Sequence, residues 1–149
     1  TIDAPRFQAA ALKPGSTARL SQLDVRCVTT PVSILAISLD ATRPVRSSPR
    51  VLLAVATRFM AEGSLWGPGP GMWSERFLDE GGYRQLIRAG RFRFSLASEA
   101  KTPPKVYALR MNGTRAEEIR ATLADGRLAF DLDTSTLAFG TPFFEIVGE

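Results

Sequence analysis

The stretch RFRFSL, Arg91 to Leu96, decides the fold of this 149-residue chain. Apolar and polar side chains alternate in it at every position, so one face carries two phenylalanines and a leucine, and the other two arginines and a serine. A period of two residues is typical of a β-strand with one buried face. The same alternation recurs in LDVRC (Leu23–Cys27) and in RLAFDLD (Arg127–Asp133).

Three further segments are apolar almost throughout. SILAISLD (Ser33–Asp40) predicts a central strand, and FFEIV (Phe143–Val147) predicts a strand near the end of the chain. RVLLAVATRF (Arg50–Phe59) could be read as a helix, but the preceding Pro49 and its β-branched residues favour a buried strand.

Two dipeptides indicate hairpins: Asn112-Gly113 after KVYALRM, and Asp125-Gly126 before RLAFDLD. The other helical alternative is AEEIRATL, Ala116–Leu123, which is long enough for two turns. The frequent turn signals predict an all-β fold, an antiparallel β-sandwich of jelly-roll or immunoglobulin-like type with about eight strands. We expect residues 1–17 to be a leading linker and residues 18–149 to be the sandwich domain.

The predicted core follows from the alternation. It comprises Val25, Ile37, Leu39, Leu53, Val55, Phe92, Phe94, Leu109, Phe130 and Ile146.

The composition excludes several kinds of site. The chain has no histidine, which rules out a Ser-His or Cys-His nucleophile pair and removes the commonest zinc ligand. Its single cysteine, Cys27, cannot form an internal disulfide and is expected to be buried. Calcium bound by aspartate and backbone oxygens is an alternative that the composition leaves open, but the sequence has no dense Asp/Asn/Gly loop of the EF-hand type, and we expect no metal site and no cofactor. The sequence also lacks an apolar run of the length that a membrane helix needs, so no membrane partner is expected.

The stretch EGSLWGPGPGMWSERF, Glu62 to Phe77, holds both tryptophans with three glycines and two prolines between them. Such a composition predicts an irregular loop. The loop could dock on a partner protein, since tryptophan, methionine and arginine are enriched at contact cores. It could instead stack against sugar rings, or fold back to close the open end of the sandwich. The candidate carbohydrate- or partner-binding residues are Trp66, Met72, Trp73, Glu75, Arg76 and Tyr83.

Arginines carry the net charge of +4 and cluster in YRQLIRAGRFRF, Tyr83–Phe94. They could be a solvated sheet face or a groove for an anionic glycan, with Arg84, Arg91 and Arg93 as its candidate residues. Nucleic acid is the less favoured partner because no recognisable nucleic-acid-binding motif accompanies them.

Three phrases, read in order, carry a family resemblance: SLDATRPVRSSPRVLL (Ser38–Leu53), VYALRMNGTR (Val106–Arg115) and FFEI (Phe143–Ile146). Together they resemble the C-terminal β-sandwich accessory domain that follows the (β/α)-barrel in certain bacterial glycoside hydrolases. The resemblance implies a non-catalytic domain that docks on or supports a catalytic barrel, because the acid/base and nucleophile carboxylates of those enzymes lie on the barrel. It implies no catalytic residue in this chain and favours an extracellular or periplasmic location.

The chain departs from that family in the stretch Glu62–Phe77, where those domains usually carry an asparagine-rich segment. Carbohydrate binding by this stretch, as a polysaccharide-binding module, is therefore the alternative function. A purely structural domain without a ligand is the third.

Overall fold

Sixteen β-strands and one short 3-10 turn make up the regular structure of residues 1–68, 75–79 and 85–148, which a computed structural model of the chain describes. The prediction of an all-β antiparallel fold is confirmed. The number of strands exceeds the eight expected, because several strands are only three residues long and give too few positions for an alternation to be recognised. For residues 65–68, 75–79 and 85, the structure describes the backbone only.

The larger sheet has seven strands, each antiparallel to its neighbours. Its spatial order is β1 (Ile2–Ala4), β2 (Phe7–Leu12), β5 (Val32–Ser38), β6 (Arg50–Ala56), β16 (Phe143–Val147), β12 (Lys105–Leu109) and β13 (Arg115–Ile119). Residues 1–17, expected to be a linker, thus contribute two strands at one edge of this sheet.

The smaller sheet has five antiparallel strands. Its order is β14 (Thr122–Ala124), β15 (Arg127–Asp133), β11 (Arg91–Ala97), β4 (Leu23–Cys27) and β3 (Thr17–Arg19). Two further pairs of strands form separate ribbons: β7 (Phe59–Ala61) with β10 (Gln85–Ile87), and β8 (Leu65–Pro68) with β9 (Glu75–Asp79). The 3-10 turn spans Val45–Ser47.

The inner faces of the two large sheets share one hydrophobic core. The alternation in β11 is confirmed, since Phe92, Phe94 and Leu96 are 1–3% exposed. The rings of Phe94 and Phe130 stack on neighbouring strands with centroids 5.0 Å apart. Other buried members of this core are Leu23, Val25, Ile34, Ala36, Val51, Leu53, Val55, Val106, Leu128, Leu132, Phe144 and Ile146.

The prediction of which residues of β5 face the core is wrong. Ile37 is half-buried and Leu39 is 47% exposed, whereas Ile34 and Ala36 are buried in the core. Because both faces of SILAISLD are apolar, the alternation that identifies the inner face elsewhere is missing here.

Both predicted hairpin turns are present. Asp125 and Gly126 have φ angles of 50° and 70°, as a two-residue type I′ turn between β14 and β15 requires. Gly113, with φ 83°, lies in a longer loop between β12 and β13, and the register of that pair shifts next to the loop. Residues 116–123 form parts of β13 and β14, so the helical alternative for this segment is wrong.

The sole cysteine lies between the two sheets. Cys27 is 0% exposed, and its thiol donates a hydrogen bond to the carbonyl of Thr30 at 2.8 Å. Burial raises the pKa of this thiol, since a thiolate would lose its hydration there. The expectation that Cys27 is buried is confirmed.

Candidate functional site

Residues 57–90, which we call the arm, connect β6 of the larger sheet to β11 of the smaller one. The first and last residues of the arm lie side by side and are joined by hydrogen bonds. The hydroxyl of Thr57 donates to the carbonyl of Arg88 at 2.6 Å, and the amide of Arg88 donates to the carbonyl of Arg58 at 2.9 Å. The closed base allows the arm to form its own ribbons without interrupting either large sheet.

The ribbon β7–β10, the stem of the arm, carries apolar residues on both of its faces. Phe59 lies opposite Ile87 and Met60 lies opposite Leu86, and successive residues of a strand face opposite sides. Phe59 is 44% exposed and Leu86 is 41% exposed, while Met60 and Ile87 are half-buried. A two-stranded ribbon is marginally stable by itself, so this one presents apolar surface that a second packing partner would stabilise.

The ribbon β8–β9 contains the flanks of the glycine- and proline-rich stretch. Trp66 lies opposite Phe77, Gly67 opposite Arg76, and Pro68 opposite Glu75. The prediction that all of residues 62–77 form an irregular loop is therefore wrong for both flanks. Pro68 is tolerated because it ends β8 in a ribbon where each strand has only one neighbour.

Of the predicted contact residues, the structure brings Trp66, Glu75 and Arg76 onto this one ribbon. Met72, Trp73, Tyr83 and Arg84 lie outside the described residues. Their roles in binding a partner, a carbohydrate or an anionic glycan stay predictions.

The outer face of the smaller sheet carries the two remaining predicted arginines. Arg93 lies between Arg26 on β4 and Asp131 on β15, and its Nε is 3.6 Å from the Asp131 carboxylate. Arg91 lies opposite Asp133. Hydrogen bonds from Ser135 hold the pKa of Asp133 below its usual range, and the positive charge of Arg91 lowers it further. The two arginines thus belong to an exposed face of mixed charge.

One charged cluster was missed from the sequence, on the outer face of the larger sheet. Glu145 in β16 is 3% exposed, and its carboxylate accepts hydrogen bonds from Nε of Arg50 at 2.7 Å and Nε of Arg115 at 2.6 Å. Burial raises the pKa of Glu145, but the two guanidinium groups outweigh it and hold the pKa below the ordinary value. The only sequence signal was an acid inside the apolar run FFEIV.

A cavity of about 290 Å³ lies at the end of the sandwich that the 3-10 turn covers. Core side chains such as Leu96 and Leu128 reach its floor, and an ion pair at 2.8 Å between Arg46 and Glu99 lies at its rim. Its lining contains a single carboxyl group, Glu99, whereas glycoside hydrolysis usually employs two facing carboxyls. This cavity therefore has the size of a small ligand site without that catalytic pair.

In residues 1–68, 75–79 and 85–148, no group of three or more aspartate, glutamate or cysteine side chains is placed to hold a metal ion. The same part of the chain contains no helix long and apolar enough to cross a membrane.

Comparisons with known proteins add no assignment. No protein-family model, no curated protein and no solved structure matches this chain.

Proposed function

We propose that this chain is a non-catalytic β-sandwich domain that attaches, through its arm, to the catalytic barrel of a glycoside hydrolase. The exposed apolar stem of the arm carries this proposal. Support also comes from the family resemblance of the three sequence phrases and from the position of the arm, which can vary without disturbing the sandwich core.

The stem offers a useful but limited binding energy. Complete burial of a phenylalanine or leucine side chain contributes about 1.5–3 kcal/mol. Since Phe59 and Leu86 still expose 44% and 41% of their surface, covering either one contributes about 1 kcal/mol. A stable complex therefore needs further contacts, and the predicted residues around Trp66 lie on the same arm.

The test has two steps. The genomic sequence preceding Thr1 and the neighbouring genes are read for a (β/α)-barrel, and that barrel is expressed separately and titrated with this chain by calorimetry. Phe59→Ser and Leu86→Ser should each weaken binding about fivefold, the equivalent of about 1 kcal/mol. Met111→Ser is the matched control, because Met111 is an apolar residue 68% exposed in the β12–β13 loop, outside the arm.

Two results would contradict the proposal. One is a genome that encodes no barrel in either place. The other is a barrel that binds the two stem variants as tightly as it binds the unchanged chain.

Carbohydrate binding is the second candidate, and the β8–β9 ribbon favours it. Its register places Trp66 opposite Phe77, next to the polar residues Glu75 and Arg76. A site for sugar rings, which have flat C–H faces and hydroxyl edges, needs both aromatic and hydrogen-bonding residues, and the sequence of this ribbon supplies both kinds.

Affinity electrophoresis of the chain in gels containing neutral polysaccharides tests this function. Trp66→Ala should reduce retardation by the equivalent of about 1–3 kcal/mol if the ring is a stacking platform. Equal mobility of the variant and the unchanged chain in every gel would exclude the ribbon as a sugar site.

A further inference from the structure

Arg26 on β4 and Arg93 on β11 lie directly opposite each other on the outer face of the smaller sheet. Like charges in this position destabilise a strand pair. Both side chains are exposed, and Arg93 has only a loose, exposed contact of 3.6 Å with Asp131. The guanidinium of Arg26 makes no ion pair or hydrogen bond with any other residue that the structure describes. Asp131 therefore offsets only part of the positive charge that the two arginines carry.

Arg120 extends this pair across the sheet. It lines a shallow depression together with Arg93, Thr122 and Ala129, and it too has no charged partner among the described residues. A second depression, between β4 and β11, is lined by Arg26, Arg93 and their neighbours. Arg93 thus lies where the two depressions meet, and we name Arg26, Arg93 and Arg120 the arginine row.

A row of short side chains runs beside the arginine row. Ser95, Ala129 and Thr122 lie opposite one another on β11, β15 and β14. On the far side of this row, Arg127 donates from Nε to the hydroxyl of Ser95 at 2.6 Å and from Nη2 to Asp24 at 3.0 Å. The Arg127 guanidinium also donates to the Ser95 carbonyl at 2.8 Å and so lies over Ser95, which leaves the short side chains of Ala129 and Thr122 as the open floor beside the arginine row.

The groove consists of the two depressions along the arginine row, which together touch all five strands, from Thr17 on β3 to Thr122 on β14. Strands are spaced about 4.8 Å apart, so its length is about 19 Å. An extended polymer can follow such a groove, and repeated negative charges along that polymer would match the arginine row.

The chemistry of this face favours a sugar polymer over a nucleic acid. Asp24 and Asp131 lie between the arginines and accept hydrogen bonds, which hydroxyl groups of a sugar can donate and phosphodiesters of DNA cannot. Phe92, Phe94 and Phe130, the only aromatic residues in this sheet, all point into the core. The described strands of this sheet therefore offer no outward-facing ring on which a base could stack, although single-strand binders depend on such rings.

We propose that the groove along the arginine row binds an acidic polysaccharide, with Arg26 and Arg93 as its central anion contacts. This function is independent of the arm and of the partner proposed for it, since the groove is formed by the smaller sheet and by Arg120 just before β14, all outside residues 57–90.

Biolayer interferometry with immobilised polygalacturonate tests the proposal on the full chain. Dextran serves as the neutral comparison, heparin as a sulfated one, and single-stranded oligothymidylate as the nucleic acid. The unchanged chain should bind polygalacturonate with an affinity that falls steeply as salt is added, because exposed charges are screened. It should bind neither dextran nor oligothymidylate as tightly.

The double variant Arg26→Gln/Arg93→Gln should lose affinity for polygalacturonate about 3- to 30-fold, as expected for two exposed ion pairs. The matched control is Arg43→Gln/Arg46→Gln, which removes the same charge from two exposed arginines at the end of the sandwich. It should bind as the unchanged chain does. Unfolding midpoints of both variants show that each is folded.

Several results would overturn the proposal. Equal losses in the two double variants would show that net charge alone is responsible. Tighter binding to oligothymidylate would assign the face to nucleic acid. Affinity that is insensitive to salt, or absent for every acidic polysaccharide, would leave no role for the arginine row. Tighter binding to heparin that depends on Arg26 and Arg93 would keep the site and identify sulfate as its preferred anion.

Discussion

Replacing Glu145 by glutamine should destabilise the protein and remove part of its sensitivity to acid. The carboxylate lies at 3% exposure between Arg50 and Arg115, with donor distances of 2.7 and 2.6 Å. Glutamine keeps the shape and one acceptor oxygen, and it deletes the negative charge.

The size of the destabilisation follows from how far Glu145, Arg50 and Arg115 are exposed to solvent. A hydrogen bond to a charged group contributes about 1.5–3 kcal/mol, and Glu145 accepts two of them. The side chains of Arg50 and Arg115 are 58% and 46% exposed, so water can take over much of their solvation once the carboxylate is gone. We expect Glu145→Gln to lower the free energy of unfolding by about 2 kcal/mol, and the unfolding midpoint by about 4–8 °C.

The pH dependence of the free energy of unfolding tests the ion pairs of Glu145 more specifically. The pKa of Glu145 in the folded protein lies below its ordinary value of 4.5, so its stabilisation is complete above that value and is lost as the pH falls through the folded pKa. The difference in free energy of unfolding between the unchanged chain and Glu145→Gln should therefore be largest near neutral pH and shrink in acid. The contributions of aspartates with lowered pKa values, such as Asp3, Asp40 and Asp133, are the same in both proteins and cancel in this difference.

Urea unfolding followed by tryptophan fluorescence, at a series of pH values, measures this difference. Asp131→Asn is the control, since Asp131 is 76% exposed and its removal should change stability by less than about 0.5 kcal/mol. A constant difference between the unchanged chain and Glu145→Gln at all pH values would refute the assigned ion pairs.

Three further changes have definite expected results. Phe92→Ala should lower the free energy of unfolding by about 3–5 kcal/mol in urea titrations, because the ring is 1% exposed in the core. Gly126→Ala should cost about 1–2 kcal/mol in the same assay, because φ is 70° there, whereas Gly140→Ala, whose new methyl group would make an ordinary van der Waals contact at 3.7 Å with Cδ1 of Ile87, should cost far less. Arg26→Glu should raise the melting temperature by the equivalent of up to about 1 kcal/mol by pairing with Arg93, and the gain should vanish in an Arg93→Gln background.

The parts of the fold that the sequence predicted are those with one polar and one apolar face. In β11 and β15 every second residue is polar or alanine, so the core positions Phe92, Phe94 and Phe130 follow from the period alone. In β5 the two faces are equally apolar, and the phase is set by packing between sheets, which no local pattern records. Ile37 and Leu39 were assigned to the core for that reason.

The residues that meet at the candidate sites were likewise not predictable from local sequence patterns. The arginines of β11 were recognised as a sheet face, yet the opposition of Arg93 to Arg26 depends on pairing between strands that are more than sixty residues apart. Glu145 likewise meets Arg50 across 95 positions of sequence. Sequence patterns predict the longer strands, and only the register between distant strands identifies which charged residues meet.

The buried Cys27 can report transient opening of the fold. A maleimide can reach this thiol only when the two sheets separate, because nothing of the side chain is exposed in the closed fold. When the maleimide is concentrated enough for alkylation to outpace reclosing, the rate of alkylation under native conditions equals the rate of this opening. A polypeptide with one cysteine gives one mass increment per opened molecule, so a time course in a mass spectrometer needs no engineered label.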